Sequence, residues 1–94
     1  MAKIFNVSYD LNQPGQNYSG LTKVLQAYDS MHILGSTWLV CTSQTAQQVS
    51  DNLRANMDNN DHLLVAEFGS DYAGWLPKNF WEWVNSRKAA YSFR

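Results

Sequence analysis

The order in which two hydrophobic periodicities alternate constrains this chain's fold more than any other feature. Residues 3–10 alternate between apolar and polar side chains, as a half-buried β-strand does. An amphipathic helix is then predicted to begin at Tyr18 or Ser19. Its buried stripe has the i, i+3, i+4, i+7 spacing, and it consists of Leu21, Val24, Leu25 and Tyr28. We expect this helix to pack on the sheet that contains the first strand.

The central part of the chain predicts two more strands and a second helix. Residues 31–42 are nearly all apolar or β-branched, and Gly35 and Ser36 interrupt them. This pattern predicts a hairpin, with one bent strand carrying a glycine bulge as the alternative. Ser43 or Thr45 can cap the helix that follows, and Thr45 with Gln48 has the spacing of a capping box. The predicted stripe of that helix is Ala46, Val49, Leu53 and Met57, and the helix is expected to end in the turn-forming residues 58–61.

Residues 62–68 predict a last strand that is apolar on both faces. The resulting order, β-α-β-β-α-β, predicts a ferredoxin-like α+β sandwich, in which two helices cover one face of a four-stranded antiparallel sheet. A chain of 94 residues has room for a single domain. We expect residues 1–68 to form the ferredoxin-like core and residues 69–94 to be a C-terminal extension of the same domain.

Such a sandwich leaves one sheet face bare, although its strands are apolar on both sides. A second copy of the chain is the simplest cover, because most homo-oligomers are two-fold dimers. The C-terminal segment is the other candidate. The predicted interface residues are Leu34, Leu39, Val65, Trp75, Trp81 and Trp83.

The C-terminal extension holds three of the four tryptophans. Pro77 and Asn79 can start a short helix there, and Tyr91 to Phe93 alternate like a short strand. Aromatic residues at this density are typical of a core or an interface. Packing on the chain's own sheet and packing on a partner are both open.

Charge and composition exclude several classes of function. Charged residues make up only 16% and the isoelectric point is about 6.0, which disfavours sequence-independent binding of duplex DNA. Residues 78–94 nevertheless carry a net charge of +3, and Arg87 and Lys88 are candidate ligand-binding residues for a phosphate.

Cys41 is the single cysteine, so no intrachain disulfide forms and a reducing cytoplasm is expected. No apolar run is long enough to cross a membrane.

Asp10 is the one position for which a chemical site can be argued. It ends the first strand, where sheets commonly present ligand-binding groups. An Asp before a Pro-Gly loop also often caps a turn by accepting backbone N–H bonds, and that structural role is the alternative. In the loop itself, backbone amides can bind an anion at the start of the helix. The candidate ligand-binding residues in this loop are Asn12, Gln13 and Gly15.

Three segments resemble a known family. They are Tyr9-Asp10-Leu11 followed by Asn-Gln-Pro-Gly-Gln, then Gly35-Ser-Thr-Trp-Leu-Val40, and then the Thr-Ser that opens the second helix. Over residues 3–68 the chain is similar to the small ferredoxin-like proteins called SinR-like, relatives of the small CRISPR adaptation subunit and of the virulence-associated protein D toxins. The resemblance implies a homodimer formed through the sheet faces, often with C-terminal segments that cross to the other protomer.

The resemblance also implies a chemistry for Asp10. In the nuclease members, the aspartate at this position is paired with its twin across the dimer axis, and the two hold a divalent metal for phosphodiester hydrolysis. Mg²⁺ accepts one or two carboxylates together with waters and substrate oxygens. Two functions are therefore predicted. The first is a non-catalytic homodimeric module that binds a nucleic acid, a nucleotide or a protein, and the alternative is an Mg²⁺-dependent nuclease or phosphodiesterase with Asp10 as its catalytic and metal-binding residue.

Overall fold

The computed structural model describes residues 2–12 and 18–91, and this part of the chain forms four strands and three helices. The elements are β1 (Lys3–Asp10), α1 (Ser19–Ala27), β2 (Asp29–Leu34), β3 (Thr37–Thr42), α2 (Ala46–Arg54), β4 (His62–Glu67) and α3 (Lys78–Tyr91). The strands pair antiparallel in the order β2-β3-β1-β4. This α+β sheet topology is compatible with the predicted ferredoxin-like arrangement, and α3 is added to it.

The helix-covered face of the sheet holds the larger core. Its buried members come from β1, β3, α1 and α2, and they are Val7, Leu21, Leu25, Trp38, Val40, Val49 and Leu53. Most of the predicted helix stripes lie here, and Met57 packs against this core from beyond the end of α2. The periodicities therefore identified the faces that α1 and α2 bury.

The predicted hairpin is confirmed, with an irregularity close to its turn. Gly35 and Ser36 connect β2 to β3, and the pairing register shifts between His32 and Leu34. The alternative, one bent strand with a glycine bulge, is wrong, because two separate strands form and the irregularity precedes Gly35.

The predicted capping box of α2 is also confirmed. Thr45 Oγ1 accepts a hydrogen bond from the Gln48 backbone N–H (3.1 Å), and Gln48 Oε1 accepts one from the Thr45 backbone N–H (2.9 Å). The predicted end of α2 is wrong, since the helix ends at Arg54 and not in residues 58–61. The chain tightens there into i→i−3 bonds, from Asn56 N–H to the Leu53 carbonyl and from Met57 N–H to the Arg54 carbonyl.

The second face of the sheet is covered in part by α3. Its buried cluster is Ile4, Leu39, Cys41, Phe80 and Val84. Of the two covers considered for this face, the C-terminal segment is the one seen, since it packs on its own sheet. The predicted short helix is longer than expected. Tyr91 belongs to α3 and not to a strand, while residues 92–93 of that predicted strand lie outside the described residues.

Within the described ranges, no helix combines the length and the apolar character that crossing a membrane requires.

Candidate protein-binding face

The part of the second sheet face that α3 leaves uncovered is the candidate functional surface. It lies on β1 and β4, and we call it the open half-face. Its members are three cross-strand pairs, Asn6 opposite Ala66, Ser8 opposite Leu64, and Asp10 opposite His62. Strand alternation places them here, because their neighbours Val7, Leu63 and Val65 pack in the core on the other face.

Leu64 is the apolar centre of the open half-face. Its side chain is 63% exposed, whereas Leu39, two strands away on the same face, is fully buried under α3. Ala66 beside it is also exposed. The sheet therefore presents an apolar strip to solvent on β4, whereas the β3 side of the same face is buried under α3.

Polar side chains border this strip along β1. Ser8 Oγ donates a hydrogen bond to Asn6 Oδ1 (2.8 Å) and accepts one from the Thr37 hydroxyl (3.2 Å), because a serine hydroxyl has a single hydrogen to donate. These side chains are hydrogen-bonded to one another. The face is therefore polar but uncharged along β1 from Asn6 until Asp10.

Asp10 lies at the exposed end of β1. No residue in the described ranges donates a hydrogen bond to its carboxylate, so the predicted turn-capping role is not seen there. Asp10 lines a shallow groove together with Ser8, His62 and Leu64. The described residues contain no group of three or more His, Cys, Asp or Glu side chains able to hold a metal ion. One protomer's Asp10 therefore supplies a single carboxylate to any shared site.

The capping function belongs to Asp61, whose side chain is only 4% exposed. Asp61 Oδ1 accepts hydrogen bonds from the Asn12 backbone N–H (2.8 Å) and the Tyr18 hydroxyl (2.9 Å). Asp61 Oδ2 accepts one from the Asp58 backbone N–H (2.8 Å). The sequence reasoning missed this residue, because an Asp in a polar turn is usually exposed and two of its three donors lie more than 40 positions away.

The side chain of Asn12, a predicted ligand-binding residue, makes its hydrogen bonds to other residues of the same chain. Its amide donates to the Asn60 carbonyl (2.9 Å) and lies 3.3 Å from His62 Nδ1. It joins the end of β1 to the start of β4. Gln13 and Gly15 lie outside the described residues.

Arg87 and Lys88, the two other predicted ligand-binding residues, anchor α3. Arg87 forms a two-pronged bond to Asp29 on β2, with Nη2 to Oδ1 at 2.7 Å and Nε to Oδ2 at 3.1 Å, and it stacks over Trp83. Lys88 donates to the Gly69 carbonyl (3.1 Å) and lies over the ring of Tyr72. Both cations thus have internal partners, which weakens the case for a phosphate site in this segment.

The six predicted interface residues separate into three groups. Leu34 (54% exposed) and Trp75 (100% exposed) lie at the surface. Leu39 is sealed inside its own chain, so the expectation that it contacts a partner is wrong in this arrangement. The other three are partly buried against the chain's own cores, and they are Val65, Trp81 and Trp83.

A groove of about 260 Å³ lies between the segment before α3 and the β2-β3 hairpin. Phe68, Tyr72 and Trp81 line it, and Trp75 stands at its edge. Its mouth adjoins Asn6 on the open half-face, so the two surfaces are continuous.

Cys41 lies beneath α3 and is 6% exposed. Burial, and secondarily the charge of Asp29, raise the pKa of this thiol, while Arg87 opposes them. A thiol with a raised pKa is a poor nucleophile at neutral pH, which agrees with a structural role for Cys41.

Comparisons with known proteins report on the fold. No family profile and no curated protein matches the chain. Among solved structures, the crystal structure of the hypothetical protein TT1823 from Thermus thermophilus is similar to it, with a TM-score of 0.64 and 16% sequence identity. The match covers 82% of this chain and 96% of that chain. At this identity the likeness shows a shared small α+β fold and nothing of function.

Proposed function

We propose that this protein is a small homodimeric binding module without catalytic activity, whose two protomers meet through the open half-face. The observation that carries the proposal is Leu64, a large apolar side chain that is 63% exposed at the centre of a sheet face. Exposed apolar surface with a polar border is typical of protein interaction sites.

The charge of the open half-face favours a protein partner over a nucleic acid. Asp10 and His62 are its titratable groups, and no lysine or arginine belongs to it. Phosphate backbones are bound by several basic side chains, and Arg87 and Lys88 already have partners within the chain. Of the predicted partner classes, a protein surface, first of all a second copy, therefore fits best.

The test places a charge at the centre of the proposed interface. We expect the wild-type chain to sediment as a dimer and Leu64→Glu to sediment as a monomer, with an unchanged far-ultraviolet circular dichroism spectrum. Thr22→Glu, at an exposed position of α1 on the opposite side of the sheet, is the matched control and is expected to remain dimeric. A monomeric wild type at high concentration, or a Leu64→Glu variant as dimeric as the wild type, would contradict the proposal.

A second candidate function is the Mg²⁺-dependent nuclease or phosphodiesterase, and the observation that favours it is the exposed carboxylate of Asp10, which has no hydrogen-bond donor among residues 2–12 and 18–91. A symmetric dimer through the open half-face would add the twin carboxylate that one protomer lacks. Two carboxylates and waters are a ligand set that Mg²⁺ accepts. Each protomer would supply Asp10 to hold the metal, and the neutral Ser8 and Asn6 would border the substrate.

The nuclease candidate is tested by incubating the protein with RNA, DNA and cyclic nucleotides, with and without Mg²⁺. Cleavage that needs Mg²⁺, is lost in Asp10→Asn and persists in the control Asp71→Asn would establish it and refute the non-catalytic proposal. Dimeric protein that cleaves none of these substrates would remove this candidate.

A further inference from the structure

The attachment of α3 is uneven along its length, and the second sheet face depends on it. Near its start, Phe80 (3% exposed) and Val84 (0% exposed) insert into the cluster over β1 and β3. Near its end, the anchors are polar, the Arg87 bond to Asp29 and the Lys88 bond to the Gly69 carbonyl. Between β4 and α3 the chain has no regular secondary structure, and most of its residues are exposed.

These features are those of a segment with low local stability. Regions that open before the rest of a protein have few buried apolar side chains, exposed connections and exposed hydrogen bonds. The Arg87-Asp29 pair is partly exposed, with 27% and 42% of the two side chains accessible. α1 and α2 are nine residues long and each buries two side chains. α3 is fourteen residues long, and its two buried side chains among those the structure describes both lie in its first half.

We propose that α3 is a strap that opens as a unit while the remaining sheet and helices stay folded, and that the Arg87-Asp29 pair sets how often it opens. Opening would uncover Ile4, Leu39 and Cys41. This apolar surface adjoins the open half-face across β1, so the strap would control how much of the sheet a partner can reach. Only this last link to partner binding rests on the proposed function.

Cys41 makes the opening measurable, because it is the single cysteine and lies under the strap. The probe is N-ethylmaleimide, an uncharged thiol reagent, applied to the full chain under native conditions. If α3 opens alone, Cys41 is labelled faster than global unfolding alone would allow. The labelling rate through global unfolding is calculated from the free energy of unfolding, which denaturant titration measures. A reaction rate equal to that of global unfolding would overturn the proposal.

Two substitutions identify the Arg87-Asp29 pair as the control. Arg87→Gln and Asp29→Asn each remove it, and each should accelerate labelling by about fivefold, the effect of losing a partly exposed ion pair. The control Lys23→Gln removes an exposed charge from α1 and should leave the rate unchanged.

The same two variants exclude a trivial explanation based on thiol acidity. Arg87 lowers the pKa of Cys41 and Asp29 raises it, after burial itself. If the charges acted only on the thiol, Arg87→Gln would slow labelling and Asp29→Asn would speed it. Acceleration by both supports the strap, whereas opposite directions refute it.

A measurement on the wild-type chain covers the case in which a variant fails to fold. Raising the NaCl concentration from about 0.05 M to about 0.5 M screens exposed ion pairs. We expect faster labelling of wild-type Cys41 at the higher NaCl concentration. All the contacts of α3 are present in this chain, because no residue is substituted. A salt-independent rate would count against the electrostatic control. Because the readout is the thiol, opening is measured without a dimerisation assay.

Discussion

Asp61 accepts a hydrogen bond from the backbone N–H of Asn12 at 2.8 Å, which joins the start of β4 to the end of β1. The same carboxylate also accepts bonds from Tyr18 before α1 and from Asp58 after α2. One buried side chain therefore holds together the segments at one end of the sheet. The candidate residue Asp10 lies next to this junction, at the exposed end of β1.

Asp61→Asn is expected to lower the midpoint of thermal unfolding by several degrees. The amide has one acceptor oxygen where the carboxylate has two, so its NH₂ group would face the N–H of Asn12 or of Asp58. Differential scanning calorimetry measures the effect, and the exposed Asp71→Asn is the control. Equal midpoints for the two variants would show that the junction contributes nothing.

The stability of the protein should depend on the ionisation of Asp61 in acid. Burial acts to raise the pKa of this carboxyl group, but hydrogen bonds from Asn12, Asp58 and Tyr18, together with nearby His62, hold the pKa below its ordinary value of 3.8. The folded chain thus binds this proton less readily than the unfolded chain. The stabilisation is complete above the unfolded pKa and is lost as pH falls through the folded pKa.

This acid dependence is measured as the free energy of unfolding between about pH 5 and about pH 2 in urea. The wild-type curve should fall more steeply than that of Asp61→Asn, which carries no proton equilibrium at this site. Parallel curves would mean that other carboxyl groups account for the whole dependence.

Thr45→Ala should destabilise the protein by about 1 kcal/mol, because it removes the N-cap acceptor of α2. Ser43→Ala provides the comparison, since Ser43 was the alternative cap and its side chain makes no hydrogen bond within the described ranges. Urea unfolding followed by circular dichroism separates the two. If Ser43→Ala lowered the free energy of unfolding as much as Thr45→Ala does, the assignment of Thr45 as the cap would be wrong.

Gly20→Ala tests a close approach between α1 and the end of α2. A methyl group at Gly20 would lie 2.7 Å from Asn56 Oδ1, the end of an exposed side chain. The replacement of Gly by Ala in a helix gains up to about 1 kcal/mol, which this contact offsets. We expect Gly20→Ala to be near neutral alone and stabilising when Asn56→Ala is added. Equal effects of Gly20→Ala in both backgrounds would show that the contact costs nothing.

Phe80→Ala should destabilise the fold by about 3 kcal/mol, since it creates a cavity beneath α3. Trp75→Ser removes a larger side chain that is fully exposed, and it should change the free energy of unfolding by less than about 0.5 kcal/mol. Chemical denaturation of both variants gives the comparison. A large loss for Trp75→Ser would mean that this ring is buried in solution, for example by a second copy.

The parts of the fold that local signals specify were predictable from sequence. The Thr45-Gln48 capping box, the turn at Gly35 and the alternation in β1 each depend on residues within a few positions of one another. The structure confirms all three. The early end of α2 was missed, because the residues after Arg54 still continue the apolar spacing to Met57.

What sequence reasoning missed depends on contacts between distant residues. No periodicity shows that α3 lies across β3, so Leu39 was expected at an interface when it is buried in its own chain. Nor does a pattern of turn residues show that Asp61 receives a bond from Asn12. The predicted dimer and the role of Asp10 also depend on contacts outside a single protomer, and they stay predictions.

The position of β1 within the sheet has a consequence for the way the chain is made. This strand is synthesised before the two strands that flank it, yet it lies in the interior and pairs with β3 as far as Thr42 and with β4 as far as Glu67. Both of its hydrogen-bonding edges must wait for segments synthesised much later, and such long-range pairing slows folding. Until then the nascent strand has two unsatisfied edges, so the growing chain should need protection from aggregation during translation.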